Sequence, residues 1–96
     1  MLKRCSVGLA RLGSYIGHGS GEVFIGFSTA NRYVPDEDPR GVIPCAVLNE
    51  NRIDRAFRAA TEATEEAVLN ALCAAETVTG YTGTTRFALG EFLREQ

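Results

Sequence analysis

Apolar residues recur at helical spacing in two parts of the chain and run continuously in two others. Leu2, Cys5, Leu9 and Leu12 stand three or four apart with Lys3, Arg4 and Arg11 between them, which predicts a short amphipathic helix over residues 2–12, closed by Gly13. A longer stripe of Ile53, Phe57, Ala60, Thr64, Ala67, Val68, Ala71, Leu72 and Ala75 has Arg52, Arg55, Arg58, Glu62, Glu65 and Glu66 off it. It predicts a long helix capped by Asn51, with an ion pair from Arg58 to Glu62. The β-branched Thr77, Val78 and Thr79 lower helix propensity, so this helix should end between Glu76 and Gly80, with Gly80 as a left-handed cap. Between the helices, both parities of Val23-Phe24-Ile25-Gly26-Phe27 are apolar or small, the mark of a strand (residues 22–29) buried on both faces. Residues 42–48 read as a second strand, which Pro44 demotes to an edge because it lacks an amide donor. The segment from Asn31 to Gly41, with Pro35, Asp36, Glu37, Asp38 and Pro39, reads as a solvated loop whose acidic run is surface. Tyr81 to Thr85 is a turn-rich connector, and Leu89, Phe92 and Leu93 suggest a last short helix. The pattern is α/β: two helices on a small mixed sheet, residues 1–96 forming one small domain or part of a larger one.

Composition narrows the function classes. Ten basic and twelve acidic residues give a net charge of −2 with no basic stripe, so nucleic acid and anionic membrane are poor partners. No apolar run approaches the roughly 20 residues of a membrane span. Three separated cysteines, Cys5, Cys45 and Cys73, fit buried structural thiols in a reducing compartment, and with a single histidine they make no metal site. No metal or other cofactor is expected. The compartment defaults to the cytoplasm. Met1 directly precedes the first periodic residue without a capping residue, which leads us to expect further sequence upstream.

The candidate chemistry lies in Gly17-His18-Gly19-Ser20-Gly21-Glu22. Alternating glycines give a backbone free to take positive φ and to approach a ligand closely. Phosphate loops follow a strand and open a helix, whereas this loop follows a helix and opens a strand, and no Lys-Ser/Thr pair follows it. A Ser20-His18-Glu22 triad is disfavoured, because neighbours along a loop and strand start rarely reach one another in triad order. Ser20 and Glu22, two residues apart, remain on one side of the strand mouth, placed to orient a reactive group supplied from elsewhere.

The helix LKRCSVGLARLGS, the segment GHGSGEVFIGFSTAN and the helix text ATEEAVLNALCAAETVTG resemble the C-terminal, β-subunit part of the DmpA-type aminopeptidases. That family includes L-aminopeptidase/D-amino-acid esterase-amidases and β-peptidyl aminopeptidases. The resemblance implies a partial αββα sandwich of the type seen in N-terminal-nucleophile hydrolases. It also implies a precursor that cuts itself into α and β subunits and frees an N-terminal serine as nucleophile. The α-amino group of that serine titrates near pH 8 and can act as its base. On the matching positions, Ser20 would hydrogen-bond the nucleophilic serine, and Glu22 would hold the network and stabilise the charged amine. A complementary α-subunit or N-terminal portion is the implied partner, peptides or amino-acid amides the implied substrates, and an oligomer the implied complete form. The chain departs from the family pattern in lacking the nucleophile and its strand: Ser6 falls within the first helix and Ser14 in the loop after it. The chain alone is therefore expected to be inactive. The alternative is a non-catalytic remnant serving as an assembly or ligand-binding module. Asn70, Glu76, Thr77 and Thr79 are open to either a site-lining or a packing role.

Overall fold

A computed structural model describes residues 1–34 and 39–94. A 3₁₀ turn, Leu2–Arg4, leads directly into α1, Cys5–Arg11. The end of α1 is set by its glycine. Gly13 takes φ 95°, its amide donates to Ala10 and the Ser14 amide donates to Leu9, a Schellman closure that a side chain with a Cβ would strain.

The long helix α2 spans Ile53–Ala74 and is preceded by a 3₁₀ turn, Glu50–Arg52. Its lead-in is capped by Asn49 rather than the expected Asn51: the Asn49 side chain accepts a hydrogen bond from the Asn51 amide at 2.9 Å. The expected ion pair forms, Arg58 Nε to Glu62 Oε1 at 2.7 Å. Hydrogen bonding and charge together hold the Glu62 carboxyl below its ordinary range, so this exposed pair supports the helix at neutral pH and is lost as pH falls through that lowered value.

The helix ends at Ala74, before the predicted Glu76 to Gly80 window. Residues 77–88 are drawn into a hairpin of β1, Val78–Thr79, against β2, Thr85–Arg86, antiparallel with Thr79 opposite Thr85. The left-handed glycine is Gly83 at φ 82°, inside the turn, and not Gly80. Thr77 Oγ1 accepts from the Ala88 amide at 2.9 Å and also bonds the Glu91 carboxylate, which fixes α3, Leu89–Arg94, at the hairpin base. The last short helix thus forms as predicted.

α1 packs across the first half of α2 through a glycine. A Cβ at Gly8 would lie 2.5 Å from the Thr61 carbonyl oxygen, so the two backbones approach as closely as chemistry allows. Around this crossing, Thr61 is buried, Arg11 pairs with Glu65 at 2.9 Å, and the Arg4 guanidinium sits 4.4 Å from the centre of the Phe57 ring. The Thr61 hydroxyl lies 3.2 Å from the Arg4 carbonyl oxygen and 3.0 Å from that of Phe57, which ties the two helices together. Thr61→Val, equal in shape but without the hydroxyl, is expected to cost about 1 kcal/mol. Thermal unfolding monitored by circular dichroism reads this, and an unchanged midpoint would refute it.

The predicted strand over residues 22–29 is extended but has no ladder. Among the described residues no backbone–backbone hydrogen bond joins residues 21–29 to anything, because nothing lies beside them to pair with. Its burial alternates as a strand's does, but the expected burial on both faces is not met, because one face lies open. Glu22 and Phe24 are half-buried toward the helices and Leu2 crosses Gly26, whereas Val23, Ile25 and Phe27 are 86, 90 and 93% exposed. Among the described residues, 42–48 likewise form no backbone ladder and are held instead by the Asn31 side chain. Its amide donates to the Ala46 carbonyl (2.9 Å) and accepts from the Ala46 amide (2.6 Å).

The described sheet is therefore one two-stranded antiparallel hairpin, not a mixed sheet beneath two helices. The α/β composition stands. Among the described residues Ala88 is the one hydrophobic side chain that is buried, and none is fully buried. The radius of gyration is 20.0 Å, against about 12–13 Å for a compact domain of this length. The cysteines follow suit: Cys5 is half-buried, but Cys45 and Cys73 are exposed thiols, contrary to the expected burial. The predicted acidic run at Asp36, Glu37 and Asp38 lies outside the described residues. No helix among the described residues is long and apolar enough to cross a membrane.

Candidate functional site

The site is built where the glycine-rich loop enters the extended segment. After α1 the chain turns at Ile16, which takes φ 55°. For a β-branched residue this is a costly left-handed conformation, the kind of backbone strain that gathers at functional sites. A turn follows, in which the Ser20 amide donates to the Gly17 carbonyl at 2.9 Å and His18 is exposed. The sequence places positive φ on the glycines, but none of Gly17, Gly19 and Gly21 adopts it. The reversal is made one residue earlier, at a residue type that carries no signal for it.

Ser20 stands exposed at the end of this turn, and Glu22 follows on the face that points toward the helices. Residues two apart on extended backbone share a side, so Glu22 lies in line with Phe24 above α2. Its Oε1 is shielded from solvent and, among the described residues, has no hydrogen-bond partner. A shielded carboxylate oxygen without a donor is costly, and such atoms are rare in native proteins unless something else supplies the donor. The chemistry that fits is a charged or polar N–H or O–H group entering at the mouth of the segment.

Two other serines are occupied locally. Ser6 donates to the Lys3 carbonyl at 2.7 Å within the first helical turns, and Ser28 accepts from the Ala30 amide at 3.2 Å. Of the residues open to a site-lining role, Thr77 bonds Ala88 and Glu91, and Thr79 bonds Thr85 across the hairpin at 2.9 Å. Both build the C-terminal hairpin. Asn70 and Glu76 are exposed.

The sequence of the chain matches a known class of peptidases. The chain matches peptidase family S58 over residues 1–86 and belongs to that family. It is 41% identical over 85 residues to the beta-peptidyl aminopeptidase BapA of Sphingosinicella microcystinivorans, covering 88% of this chain and 21% of that protein. Against BapA of Sphingosinicella xenopeptidilytica it is 39% identical over 83 residues, covering 83% of this chain and 20% of the relative. The PH0078 protein of Pyrococcus horikoshii OT3, a solved structure, superposes with a TM-score of 0.82 at 42% identity, over 97% of this chain and 26% of that one. The chain thus spans about a fifth of the length of the curated relatives it matches.

Proposed function

We propose that residues 1–96 are the β-subunit portion of a self-processing serine aminopeptidase, the part that steadies the attacking group without containing it. In the complete enzyme the portion forms the helical layer and part of one sheet of an αββα sandwich. A serine at a new N-terminus, outside these 96 residues, attacks the carbonyl of an N-terminal residue in a peptide, amide or ester. Its hydroxyl proton passes to its own α-amino group and then to the departing amine or, from an ester, the departing alcohol, and water releases the acyl group from the serine oxygen. Ser20 accepts and returns a hydrogen bond to the nucleophilic hydroxyl. Glu22 receives the α-ammonium and stabilises the charge it carries as the acyl-enzyme forms.

The observation that carries this reading is the shielded Oε1 of Glu22, without a hydrogen-bond partner among the described residues, two positions after an exposed serine in an S58 sequence. An ammonium is the donor that satisfies such an oxygen best, since a charge-assisted bond is about twice as strong as a neutral one. By this reading the chain alone does not turn over substrate. The test uses p-nitroanilides of small L- and β-amino acids, assayed with the chain alone and co-expressed with the remainder of an S58 peptidase. Activity in the pair only, abolished by Ser20→Ala, is expected. Equal activity without a complement would refute the missing nucleophile, and no activity in a well-formed pair would favour a non-catalytic assembly module.

A further inference from the structure

Ile16 is the one non-glycine residue among those described with a left-handed backbone, at φ 55°. Gly17, the next residue, could take that conformation without a steric penalty and does not. A cheap pivot is left unused beside a costly one, so something other than ease of turning sets where the chain reverses.

The contacts around the reversal show what it holds. The ring of Tyr15 lies over Gly17: a Cβ there would stand 3.3 Å from Tyr15 Cε2 and 3.6 Å from its hydroxyl oxygen. Gly17 is thus glycine for the space above it and not for its φ. Its carbonyl in turn accepts the Ser20 amide at 2.9 Å, across a turn whose middle residues are His18 and Gly19. Both ends of this loop are tied down. Behind it the Gly13 and Ser14 amides donate to Ala10 and Leu9; ahead of it Phe24 is half-buried above α2 and Leu2 crosses Gly26. With both ends fixed, a change of φ at residue 16 cannot be absorbed by swinging the rest of the chain, and residues 17–21 must refold.

We infer that Ile16 is a positioning residue: its left-handed backbone, locked by the Tyr15 ring on Gly17, aims the Ser20 hydroxyl at the attacking group. The inference rests on the role proposed for Ser20 and adds the device that sets its direction. A residue with a Cβ suits the task. Its left-handed well is small, whereas glycine ranges widely, so once its neighbours enforce the reversal Ile16 holds it more tightly than glycine would. Ser20 contacts the nucleophile and not the substrate in this reading, so a badly aimed hydroxyl slows the chemical step and leaves substrate binding alone.

The test co-expresses this chain with the part of S. microcystinivorans BapA that it does not match, and compares Ile16→Pro, Ile16→Gly and Tyr15→Ala with the unaltered pair. Proline fixes φ at about −65° and forbids the reversal, whereas glycine permits it. Ile16→Pro is expected to lower kcat on an amino-acid p-nitroanilide about tenfold or more, with KM within about twofold and amide exchange at Ser20 about tenfold faster. Ile16→Gly is expected to recover most of that loss, with Ser20 exchange close to that of the unaltered chain. Tyr15→Ala, at a residue 89% exposed, removes the lock without disturbing a core and is expected to fall between the two. An unaltered pair without activity counts against the proposed function; Ser20 exchange, measured on the pair and on the chain alone, needs no turnover and then decides the inference. In an active pair, Ile16→Pro leaving either kcat or Ser20 exchange unchanged, or Ile16→Pro and Ile16→Gly losing activity equally, would overturn it. Should Ile16→Pro fail to pair, Tyr15→Ala and Ile16→Gly carry the comparison: faster Ser20 exchange in the first upholds the inference, and equal exchange overturns it.

Discussion

In the complemented enzyme, Glu22→Gln is expected to lower kcat about a hundredfold or more with little change in KM, the range seen when one preorganised electrostatic contact to the reacting centre is removed. Glutamine keeps the size of the side chain, so the extended segment and its packing on Phe24 are undisturbed. What it loses is the negative charge that an ammonium needs as the nucleophile's proton arrives. The shielded oxygen sharpens this effect, because a charge interaction gains strength where water is excluded. Steady-state kinetics on an amino-acid p-nitroanilide, with complex formation verified by native mass, checks it. A kcat within twofold of the unaltered pair would remove Glu22 from the machinery.

The second large effect is structural and belongs to the helix crossing. Gly8→Ala is expected to destabilise the chain, lowering the thermal midpoint by several degrees and speeding hydrogen exchange across α1. Two terms compete. Alanine favours a helix over glycine by roughly 1 kcal/mol. Against this, the new Cβ meets the Thr61 carbonyl oxygen at 2.5 Å and the Thr64 Cβ at 2.9 Å, so α1 must lift away from α2. Overpacking of this kind costs about 1–3 kcal/mol, and here the obstacle is backbone, which cannot rotate aside. Release of the Thr61 hydroxyl from the Arg4 carbonyl adds to the loss. Gly26→Ala makes the contrast: its Cβ would meet only the flexible end of Leu2, at 2.7 Å, and a milder effect is expected. Should Gly8→Ala instead raise the midpoint, helix propensity has won and the crossing is looser than described.

The helices were the legible part of the chain because local rules determine them. Gly13 ends α1 through its own conformation, and Thr64 of the predicted stripe lies at the crossing with α1, although the residue buried there, Thr61, stands off the stripe. The end of α2 was less legible. Thr77 is held by the Ala88 amide and by Glu91, eleven and fourteen residues away, and so leaves the helix before its propensity alone would dictate. The segment 22–29 carries a strand's alternation, but a strand is a relation between two backbones, and the described residues contain only one. At the site, the spacing of Ser20 and Glu22 was visible in the sequence. The left-handed turn at Ile16 was not, since a β-branched residue is the last that residue preference would put there. Nor was the shielding of Glu22 Oε1, which depends on where the loop and the helices come to lie.

The most direct measurement is a structure of the chain bound to its complement, read at one atom. The predicted result is the α-amino nitrogen of a terminal serine at about 2.7–3.2 Å from Glu22 Oε1, with that serine's hydroxyl against Ser20. The contradicting result is an Oε1 left without a donor in the complex, or one satisfied wholly by residues of this chain.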